Sequence, residues 1–567
     1  MEKTTLLPEL FRCDSHGLRR RRDDSTGSIS VPLVSGAQAV SERGLWSGFL
    51  SSAQMFPSRP AIVAGGKVLS YEDLRELARR IAATIQKYPD NSATPLTAVF
   101  VYRSTTAFAG VLGALLAGNG YVPLNRTFPE GRTRVMFERS GARSLIVDAN
   151  SLPQLPTLLA GAPEPLLVIL PDLTDVAPLE TRWPLHTFVG SEDLQPSSVW
   201  KEPAYAMDSL AYLLFTSGST GTPKGVAVAQ RNVLHFVAYM VERYQVNQND
   251  RLSQMFDMTF DLSAFDMFVA WERGACVCCP SQKELIKPDS YVRNNKLTIW
   301  FSVPSTAVFM KQLGLLKPGR YPELRLSLFC GEPLPVSSIQ AWSAAAPNSV
   351  VENLYGPTEL TIACTLYRWD AQRSPLEAEM GIVPIGYPYP GMNYLVVDET
   401  LHEVASGEEG ELLMSGPQMS LGYWKDAKKT SEAFLIPPGQ SQIYYRTGDR
   451  VRRPRARGPL IHLGRIDSQI KVLGHRVELG EIEAVVRKHC GSDAVVAVGW
   501  PRTSSGFGGV EVFIEGCGTA DKFRDSVQVE LPEYMVPRKF YFKDKLPRNP
   551  NGKLDRKAIS ESLDGES

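Results

Sequence analysis

A stretch rich in glycine and hydroxyl side chains carries the clearest chemical signal in this chain of 567 residues. It runs from Phe215 to Gly225 and contains three glycines, three threonines, two serines and Lys224. Successive backbone N–H groups in such a loop form a nest for anions, and the lysine adds positive charge. Apolar runs on both sides, Leu210–Phe215 and Val226–Val228, predict buried strands, which argues against a flexible linker. The pattern indicates a triphosphate site, although no helix start with Lys-Ser/Thr follows, as the GxxxxGK[ST] loop requires.

Four further strings place reactive or ligand-binding side chains at predicted turns. Tyr355 offers a flat face for a base, and Glu359 is a hard oxygen ligand suited to Mg²⁺ beside phosphates. Asp449 follows a tight turn and could accept both hydroxyls of a ribose. Residues 464–483 are densely charged, and Lys553 lies at a glycine turn from which a mobile domain could deliver it into a cleft. Read alone, each string also fits an ordinary turn, a solvated linker or a surface lysine.

The composition excludes several classes of function. The 61 Lys and Arg residues balance the 61 Asp and Glu residues, so the chain as a whole has no electrostatic attraction to nucleic acid or acidic membranes. Eight cysteines are too few for a disulfide scaffold and favour a reducing compartment, which predicts a cytoplasmic protein. Cys276, Cys278 and Cys279 lack CxxC spacing and a nearby histidine, so a buried strand explains them better than a metal site.

Alternating apolar and amphipathic segments predict an α/β fold with mixed and mostly parallel sheets. The apolar spacing of Leu74–Ile85 predicts a helix, whereas Ala98–Val101 and Ser144–Val147 predict buried strands. The apolar stretch Ala107–Ala117 is too short to span a bilayer and predicts a buried helix.

Three parts of the chain are expected. Residues 1–35 are polar, rich in Ser, Gly and Arg, and predict a disordered tail without a secretory signal. Residues 36–465 predict a large α/β domain. Residues 466–567 combine short strands with charged helices, which predicts a small, mobile α+β domain.

Taken together, the five strings in this order resemble the adenylate-forming superfamily. They are most similar to the amino-acid adenylation domains of nonribosomal peptide synthetases, and Phe329–Leu334 also resembles stand-alone D-alanine or L-proline carrier-protein ligases. Further matching strings are Leu69–Leu74, Leu116–Leu124, Gly410–Leu412, Gly422-Tyr423 and Leu531–Pro537. The resemblance implies that a large N-terminal domain binds ATP while a small C-terminal domain rotates, with its hinge at Asp467.

The resemblance also implies a two-step reaction. The substrate carboxylate attacks the α-phosphate of ATP to give acyl-AMP and pyrophosphate, and a thiol then takes the acyl group. The residues implied in catalysis are Lys553, Thr358 and Glu359. Glu359 is also implied as a ligand of Mg²⁺. The residues implied in nucleotide binding are Thr216, Ser217, Gly218, Ser219, Thr220, Gly221, Lys224, Gly331, Glu332, Asn353, Tyr355, Gly356, Asp449, Arg465 and Lys471. After rotation, the loop around Gly474 would replace Lys553 at the site.

An amino-acid pocket follows from the same resemblance. Asp261 matches the position that pairs with the substrate α-ammonium, although a helix N-cap is a rival interpretation. The remaining matched positions are Leu262, Phe265, Ser302, Leu328, Cys330, Leu354, Ile362 and Ala363. This lining carries no charge, so we expect a small or medium uncharged substrate such as alanine, proline, valine or cysteine. One methylene is worth only about 1–3 kcal/mol of discrimination, so these four remain equivalent candidates.

Motifs of neighbouring synthetase domains are absent from the sequence. There is neither a GGxS carrier motif nor an HHxxxDG condensation motif, so we expect the acceptor thiol on a separate phosphopantetheinylated carrier protein or on coenzyme A. The expected context is nonribosomal peptide or antibiotic biosynthesis, without nucleic-acid or membrane partners. An acyl- or aryl-coenzyme A ligase is an alternative against which Asp261 argues, and a non-catalytic nucleotide-binding protein is a more remote one.

Overall fold

The computed structural model describes residues 43–90, 92–204, 206–217, 223–516, 518–519, 523–548 and 554–564. Within them, parallel and mixed sheets alternate with helices, which confirms the predicted α/β class. Three sequence predictions lie outside the described residues: the tail of residues 1–35, the loop residues Gly218, Ser219, Thr220 and Gly221, and Lys553.

A mainly parallel sheet of seven described strands contains the segments on both sides of the glycine-rich loop. Its strands, in spatial order, are Thr187–Gly190, Leu167–Leu170, Ser144–Val147, Leu96–Phe100, Gly120–Leu124, Leu210–Thr216 and Lys224–Ala229. The last two pair antiparallel, so the loop connects the ends of a hairpin. The central strands are buried along their whole length because both faces of the sheet are covered.

A second large sheet has nine strands in the described part of the chain. In spatial order they are Tyr387–Pro388, Thr365–Arg368, Val350–Tyr355, Leu326–Phe329, Ile299–Ser302, Arg251–Ser253, Cys276–Cys278, Pro60–Ala64 and Lys67–Ser70. The cysteine strand is buried as predicted. Parallel register sets Ser302 beside Phe329 and Phe329 beside Asn353, so the loops that follow these strands open at one edge.

Helices cover these sheets, and two of them confirm the predicted pattern closely. Tyr71–Lys87 begins with a capping box between Ser70 and Asp73, and Thr105–Leu116 is almost wholly buried. The two helices approach closely at Gly113, where a Cβ atom would lie 2.6 Å from Ile81. The other described α-helices before residue 466 are Ser47–Met55, Glu130–Ser140, Leu155–Leu159, Ala177–Arg182, Gln230–Tyr244, Leu262–Ala264, Gln282–Ile286, Pro288–Asn294, Pro304–Gln312, Val336–Ala345, Ser374–Glu377 and Ala427–Ala433. None of the described helices is long and apolar enough to cross a membrane.

An antiparallel sheet follows and positions the predicted ribose-binding residue. It consists of Asn393–Val397, Glu409–Ser415, Tyr444–Arg452, Phe434–Leu435 and Ile461–Arg465. The pairing of Tyr444–Arg452 with Ile461–Arg465 sets Asp449 directly opposite Arg465.

Two small sheets and three described helices form the C-terminal α+β part. The sheets are His475–Glu478, Gln469–Val472, Gly506–Phe507 and Arg502–Thr503, and Val495–Gly499, Val510–Glu515 and Lys539–Lys543. The helices are Leu479–Cys490, Arg524–Glu530 and Arg556–Asp564. These elements enclose apolar cores of their own, around Ile482 and Val512 and around Val496 and Phe513. The domain boundary at residue 465 stays a prediction.

Candidate active site

A cavity of about 450 Å³ opens at the carboxyl ends of Leu326–Phe329 and Val350–Tyr355. This is the edge at which α/β sheets bind their ligands. The end of Leu210–Thr216 and the C-terminal strand Gln469–Val472 complete the wall. The predicted residues that it brings together are Thr216, Ser217, Asp261, Leu262, Cys330, Gly331, Glu332, Asn353, Leu354, Tyr355, Gly356, Thr358, Asp449, Arg465, Asp467 and Lys471.

Some predicted pocket residues lie behind the cavity wall instead of lining it. Those with no solvent exposure that do not face the space are Phe265, Ser302, Leu328, Ile362 and Ala363. The Ser302 hydroxyl accepts from Trp300 at 2.9 Å and donates to the Val303 carbonyl at 3.1 Å, so its hydrogen bonds are made within the wall. These side chains therefore set the shape of the cavity through packing.

Asp449 is the most strongly held carboxylate that lines the cavity. Its oxygens accept from Arg465 at 3.0 Å and from the Tyr355 hydroxyl at 2.6 Å, and His462 Nε2 lies 3.1 Å away. Burial opposes ionisation, yet Arg465 and His462 hold the pKa of Asp449 well below its usual range. The site therefore presents a fixed negative acceptor for hydroxyl donors at neutral pH.

Asn353 presents an unused acceptor to the cavity. Its amide nitrogen donates to the carbonyls of Pro384 at 2.9 Å and Val383 at 3.4 Å. Its buried Oδ1 has no partner among the described residues, and a buried polar atom in this state calls for one. An exocyclic amine such as that of adenine fits this acceptor. The buried Thr216 hydroxyl is likewise unpartnered within the described chain, at the start of the glycine-rich loop.

Asp261 lies at the amino-acid end of the predicted site. It precedes the helix Leu262–Ala264, but its side chain makes no capping hydrogen bond, so the rival N-cap interpretation does not describe its role. Burial raises the pKa of Asp261 to about 6, although hydrogen bonds from Thr358 and the Ile362 amide lower it. The described residues give this carboxylate no ion pair. A buried carboxylate of this kind is suited to an incoming cation.

Glu359 is fully buried and already surrounded by hydrogen-bond donors. Arg476 Nη1 lies 2.9 Å from one oxygen, while the Tyr423 hydroxyl at 2.9 Å and Lys224 Nζ at 3.4 Å contact the other. Burial alone would raise the pKa of Glu359, but Arg476 and Lys224 hold it far below its usual range. No cluster of three or more His, Cys, Asp or Glu side chains in the described residues could hold a metal ion. In this arrangement both oxygens of Glu359 are already engaged and two cationic side chains surround them, so the observed contacts do not fit Mg²⁺.

A hairpin from the C-terminal part, residues 469–478, contributes to the lining of the cavity. Gly474 packs against Val303, where a Cβ atom would lie 2.7 Å from a methyl group, and its φ of +85° also favours glycine. The Ser217 hydroxyl donates to the Arg476 carbonyl at 2.9 Å. Lys471 lines the cavity, and burial, aided by the neighbouring Arg476, lowers its pKa. We refer to these residues as the 469–478 hairpin.

The segment that follows Lys553 lies in the C-terminal part. Arg556 forms an ion pair with Glu483 and donates to the Ala497 carbonyl at 3.1 Å. Asp467, the predicted hinge, accepts two hydrogen bonds from Arg465 at 2.7 and 2.6 Å.

Three residues of the site were not singled out from the sequence: His462, Tyr423 and Arg476. Tyr423 and Arg476 lie within sequence strings that match the family, so their position in these motifs could have identified them as site residues. No sequence feature pointed to His462, which reaches Asp449 only because the two strands pair.

This arrangement of sheets around a cavity with base- and hydroxyl-directed groups defines a nucleotide-binding α/β enzyme. The chain belongs, more narrowly, to the AMP-binding enzyme family, whose family model matches residues 49–424. The predicted membership of the adenylate-forming superfamily, and with it the prediction of an AMP-forming ligase, is therefore confirmed.

Curated relatives cover most of the chain. It is 30% identical to a D-alanine--D-alanyl carrier protein ligase of Bacillus velezensis, over 87% of this chain and 94% of that protein. It is 32% identical to an L-proline--[L-prolyl-carrier protein] ligase of Pseudomonas fluorescens, over 91% of this chain and 98% of that protein. Tyrocidine synthase 1 of Brevibacillus parabrevis is longer: the chain is 31% identical to it over 90% of its own length but spans only 44% of that protein.

A solved structure agrees with this assignment. The adenylation domain AlmE of Vibrio cholerae, in complex with glycyl-adenosine-5'-phosphate, superposes with a TM-score of 0.81 and is 30% identical. The match covers 95% of this chain and 100% of that one.

Proposed function

We propose that the chain activates an amino acid with a small or medium uncharged side chain as its aminoacyl-AMP and transfers it to the phosphopantetheine thiol of a separate carrier protein. The observation that carries the proposal is Asp261, a buried carboxylate to which the described residues give no ion pair, in the same cavity as the nucleotide-directed Asn353 and Asp449. The named carrier-protein ligases among the relatives support it. A cytoplasmic location and a role in nonribosomal peptide biosynthesis belong to the same proposal.

The first step joins a substrate carboxylate oxygen to the α-phosphorus of ATP and breaks the bond to pyrophosphate. Charge on the α-phosphoryl oxygens must be neutralised, and fixed donors do this best. We assign this role to Thr358 and Lys553, and the holding of the outer phosphates to Thr216 and Lys224 together with the loop between them. Asp261 orients the substrate by its ammonium group.

We propose that Mg²⁺ binds together with the ATP phosphates and that Glu359 is its protein ligand. Because Arg476 and Tyr423 occupy that carboxylate in the structure, the observed arrangement does not accommodate the metal. No step of the reaction is therefore assigned to it.

The second step requires the thiol to attack the carbonyl carbon of the aminoacyl-AMP and AMP to leave. We propose that a small domain, residues 466–567, turns on Asp467 relative to a large domain, residues 36–465, between the two steps. We assign the observed arrangement to the second step, and the positions of two residues support this assignment. Gly474 lines the cavity, and Arg556, just after Lys553, is bound to Glu483 in the C-terminal part.

Amino-acid-dependent exchange of pyrophosphate into ATP tests this function. With a panel of amino acids, aryl acids and fatty acids, we expect exchange with one or more small uncharged amino acids. Acids without an α-ammonium group should give background exchange because they leave Asp261 unpaired. Amino acids with charged side chains should also give background exchange, because the predicted pocket positions other than Asp261 carry no charge that could pair with them. Exchange confined to aryl or fatty acids would contradict the proposal and indicate a coenzyme A ligase.

A further inference from the structure

A second cavity, of about 330 Å³, shares no lining residue with the active-site cavity. Its volume falls within the range of about 300–1,000 Å³ that is typical of small-molecule sites. The charged side chains that line it are Arg103 and Arg126, and none of the described residues in its wall is acidic. The hydroxyl and amide side chains around them include those of Tyr102, Thr127, Asn150 and Gln282. The cavity therefore presents a cationic, hydrogen-bonding surface that the proposed reaction does not use.

The second cavity lies at the switch point of the sheet of seven described strands. Numbered along the chain from Leu96–Phe100, its first five strands have the spatial order 5-4-3-1-2. Leu96–Phe100 pairs with Gly120–Leu124 on one side and with Ser144–Val147 on the other, so the winding of the chain reverses there. The lining residues 102–103, 126–127 and 150 follow the carboxyl ends of these three strands. Doubly wound sheets bind their ligands at such a point.

Asp148 fixes the loops on either side of this switch point. One of its oxygens accepts from the Tyr102 amide at 2.9 Å and from the Ser104 hydroxyl at 2.7 Å, and the other accepts from the Ser151 amide at 2.8 Å. The carboxylate is buried and does not line the cavity. Its charge is therefore engaged by the loops and not by the arginines, and the loops are held in place before a ligand arrives.

The described residues give neither arginine of the second cavity an ion pair. Arg103 donates to the Met255 carbonyl at 2.9 Å, and Arg126 likewise donates to a backbone carbonyl. The buried Nε of Arg103 has no partner within the described chain. Burial opposes the charge of this guanidinium, but the neighbouring Cys279 and Asp257 raise the pKa of Arg103, so it is cationic at neutral pH. Two such cations at one cavity call for an anionic partner.

Tyr102 supplies a third donor to the second cavity. Its hydroxyl oxygen accepts from Gln282 Nε2 at 2.9 Å, and none of the described residues accepts its proton. The Tyr102 carbonyl accepts from the Asn150 amide at 3.2 Å, which joins two of the loops. Gln282 begins the helix Gln282–Ile286, which follows the cysteine strand of the other large sheet. The hydroxyl is therefore positioned from the opposite side of the cavity.

This donor set matches a phosphate group better than a carboxylate. The planar guanidinium group of arginine fits phosphate oxygens, and such charge-assisted hydrogen bonds are roughly twice as strong as neutral ones. Two guanidinium groups balance the charge of a phosphate dianion, whereas a carboxylate would leave one of them unpaired. A phosphate group also has enough oxygens to accept from both arginines and from the Tyr102 hydroxyl.

We infer that the second cavity is a binding site for a phosphate group, with Arg103 and Arg126 as its counter-ions and the Tyr102 hydroxyl as a further donor. The group is that of inorganic phosphate or of a small phosphate ester. This site is separate from the one proposed for the ATP phosphates at Thr216 and Lys224. The inference does not depend on the proposed function.

Binding of inorganic phosphate to the full-length chain tests the inference. Calorimetric titration would be carried out with the active site saturated by α,β-methylene-ATP, which fills the phosphate positions there. We expect one phosphate per chain, bound at least about tenfold more weakly by Arg126→Gln and about fivefold more weakly by Tyr102→Phe. Glycerol 3-phosphate is the second probe. Tighter binding of this ester than of inorganic phosphate assigns the site to a phosphate ester, and equal or weaker binding assigns it to the free anion.

Arg373→Gln is the matched control for the loss of an arginine. Arg373 pairs with Glu377 at 2.6 Å outside both cavities, so its replacement should leave phosphate affinity unchanged. Thermal unfolding without phosphate verifies that each variant is folded. The inference is overturned if neither probe binds the wild type, or if folded Arg126→Gln and Tyr102→Phe both bind phosphate as tightly as the wild type. It is also overturned if Arg373→Gln weakens binding as much as Arg126→Gln does.

Discussion

Replacing Asp449 with alanine should lower kcat/KM for ATP in pyrophosphate exchange by about two to three orders of magnitude. The carboxylate is buried, charged and fixed by Arg465, His462 and Tyr355, so it can accept ribose hydroxyls without reorganisation. Removing one partner of a buried, hydrogen-bonded charge pair costs about 2–5 kcal/mol, and every 1.4 kcal/mol is about tenfold. The loss should appear in the KM for ATP as well as in kcat.

A matched variant separates this effect from a loss of stability. Glu352→Gln also disrupts a buried ion pair, with Arg243, but it lies outside the cavity lining. It should lower the thermal unfolding temperature without raising the KM for ATP. If Asp449→Ala kept wild-type kcat/KM for ATP while remaining folded, the assignment of the ribose site would be wrong.

Replacing Asp261 with asparagine should lower kcat/KM for the amino acid by about 100-fold or more while nucleotide binding persists. The asparagine retains the shape of the side chain but removes the charge that the ammonium group requires in a buried pocket. Losses of about 2–5 kcal/mol are expected when one partner of such a pair is removed. Equilibrium binding of α,β-methylene-ATP, a non-cleavable ATP analogue, provides the control, because the change leaves Asn353 and Asp449 intact.

The pH profile distinguishes this role of Asp261 from a purely structural one. Burial raises the pKa of Asp261 to about 6, so its charged form, which binds the ammonium, is lost as pH falls through 6. In the wild type, kcat/KM for the amino acid should therefore fall about tenfold per pH unit below that value. This decrease in kcat/KM at low pH should be absent in Asp261→Asn. A wild-type profile that stays flat between pH 5 and 7 would contradict the assignment.

The raised pKa of Asp261 also affects stability. A carboxyl group with a folded pKa above its unfolded value stabilises the fold at low pH, and this contribution is lost as pH rises through about 6. The substrate ammonium removes this disadvantage by pairing with the charged form. A destabilising charge held in a cavity is expected of a binding residue rather than of a structural one.

Local patterns were sufficient to predict much of the fold. The strands Leu96–Phe100 and Ser144–Val147 were predictable because interior strands of a parallel sheet are apolar on both faces. Helix Tyr71–Lys87 was predictable from its one apolar face. The cysteine strand Cys276–Cys278 was recognised because its spacing suits no metal.

Residues of the site were predictable only where they lie within a recognisable sequence motif. Asn353, Tyr355 and Asp449 lie in such strings, and the sheet order brings them to one cavity. The contact of His462 with Asp449 depends on strand pairing, and the contact of Arg476 with Glu359 joins residues 117 positions apart. Periodicity and spacing report neighbours along one element, so contacts made by tertiary packing are invisible to them.

The fate of the substrate carboxylate oxygen tests the central claim most directly. The amino acid that supports exchange would be labelled with ¹⁸O in its carboxyl group and incubated with ATP, the chain and hydroxylamine as the acyl acceptor. Attack on the α-phosphorus transfers one labelled oxygen to AMP, which stays there when the acceptor attacks the carbonyl carbon. Mass spectrometry should therefore find AMP heavier by one ¹⁸O atom, in proportion to hydroxamate. Unlabelled AMP, or ADP with label in inorganic phosphate, would contradict activation through an aminoacyl-AMP.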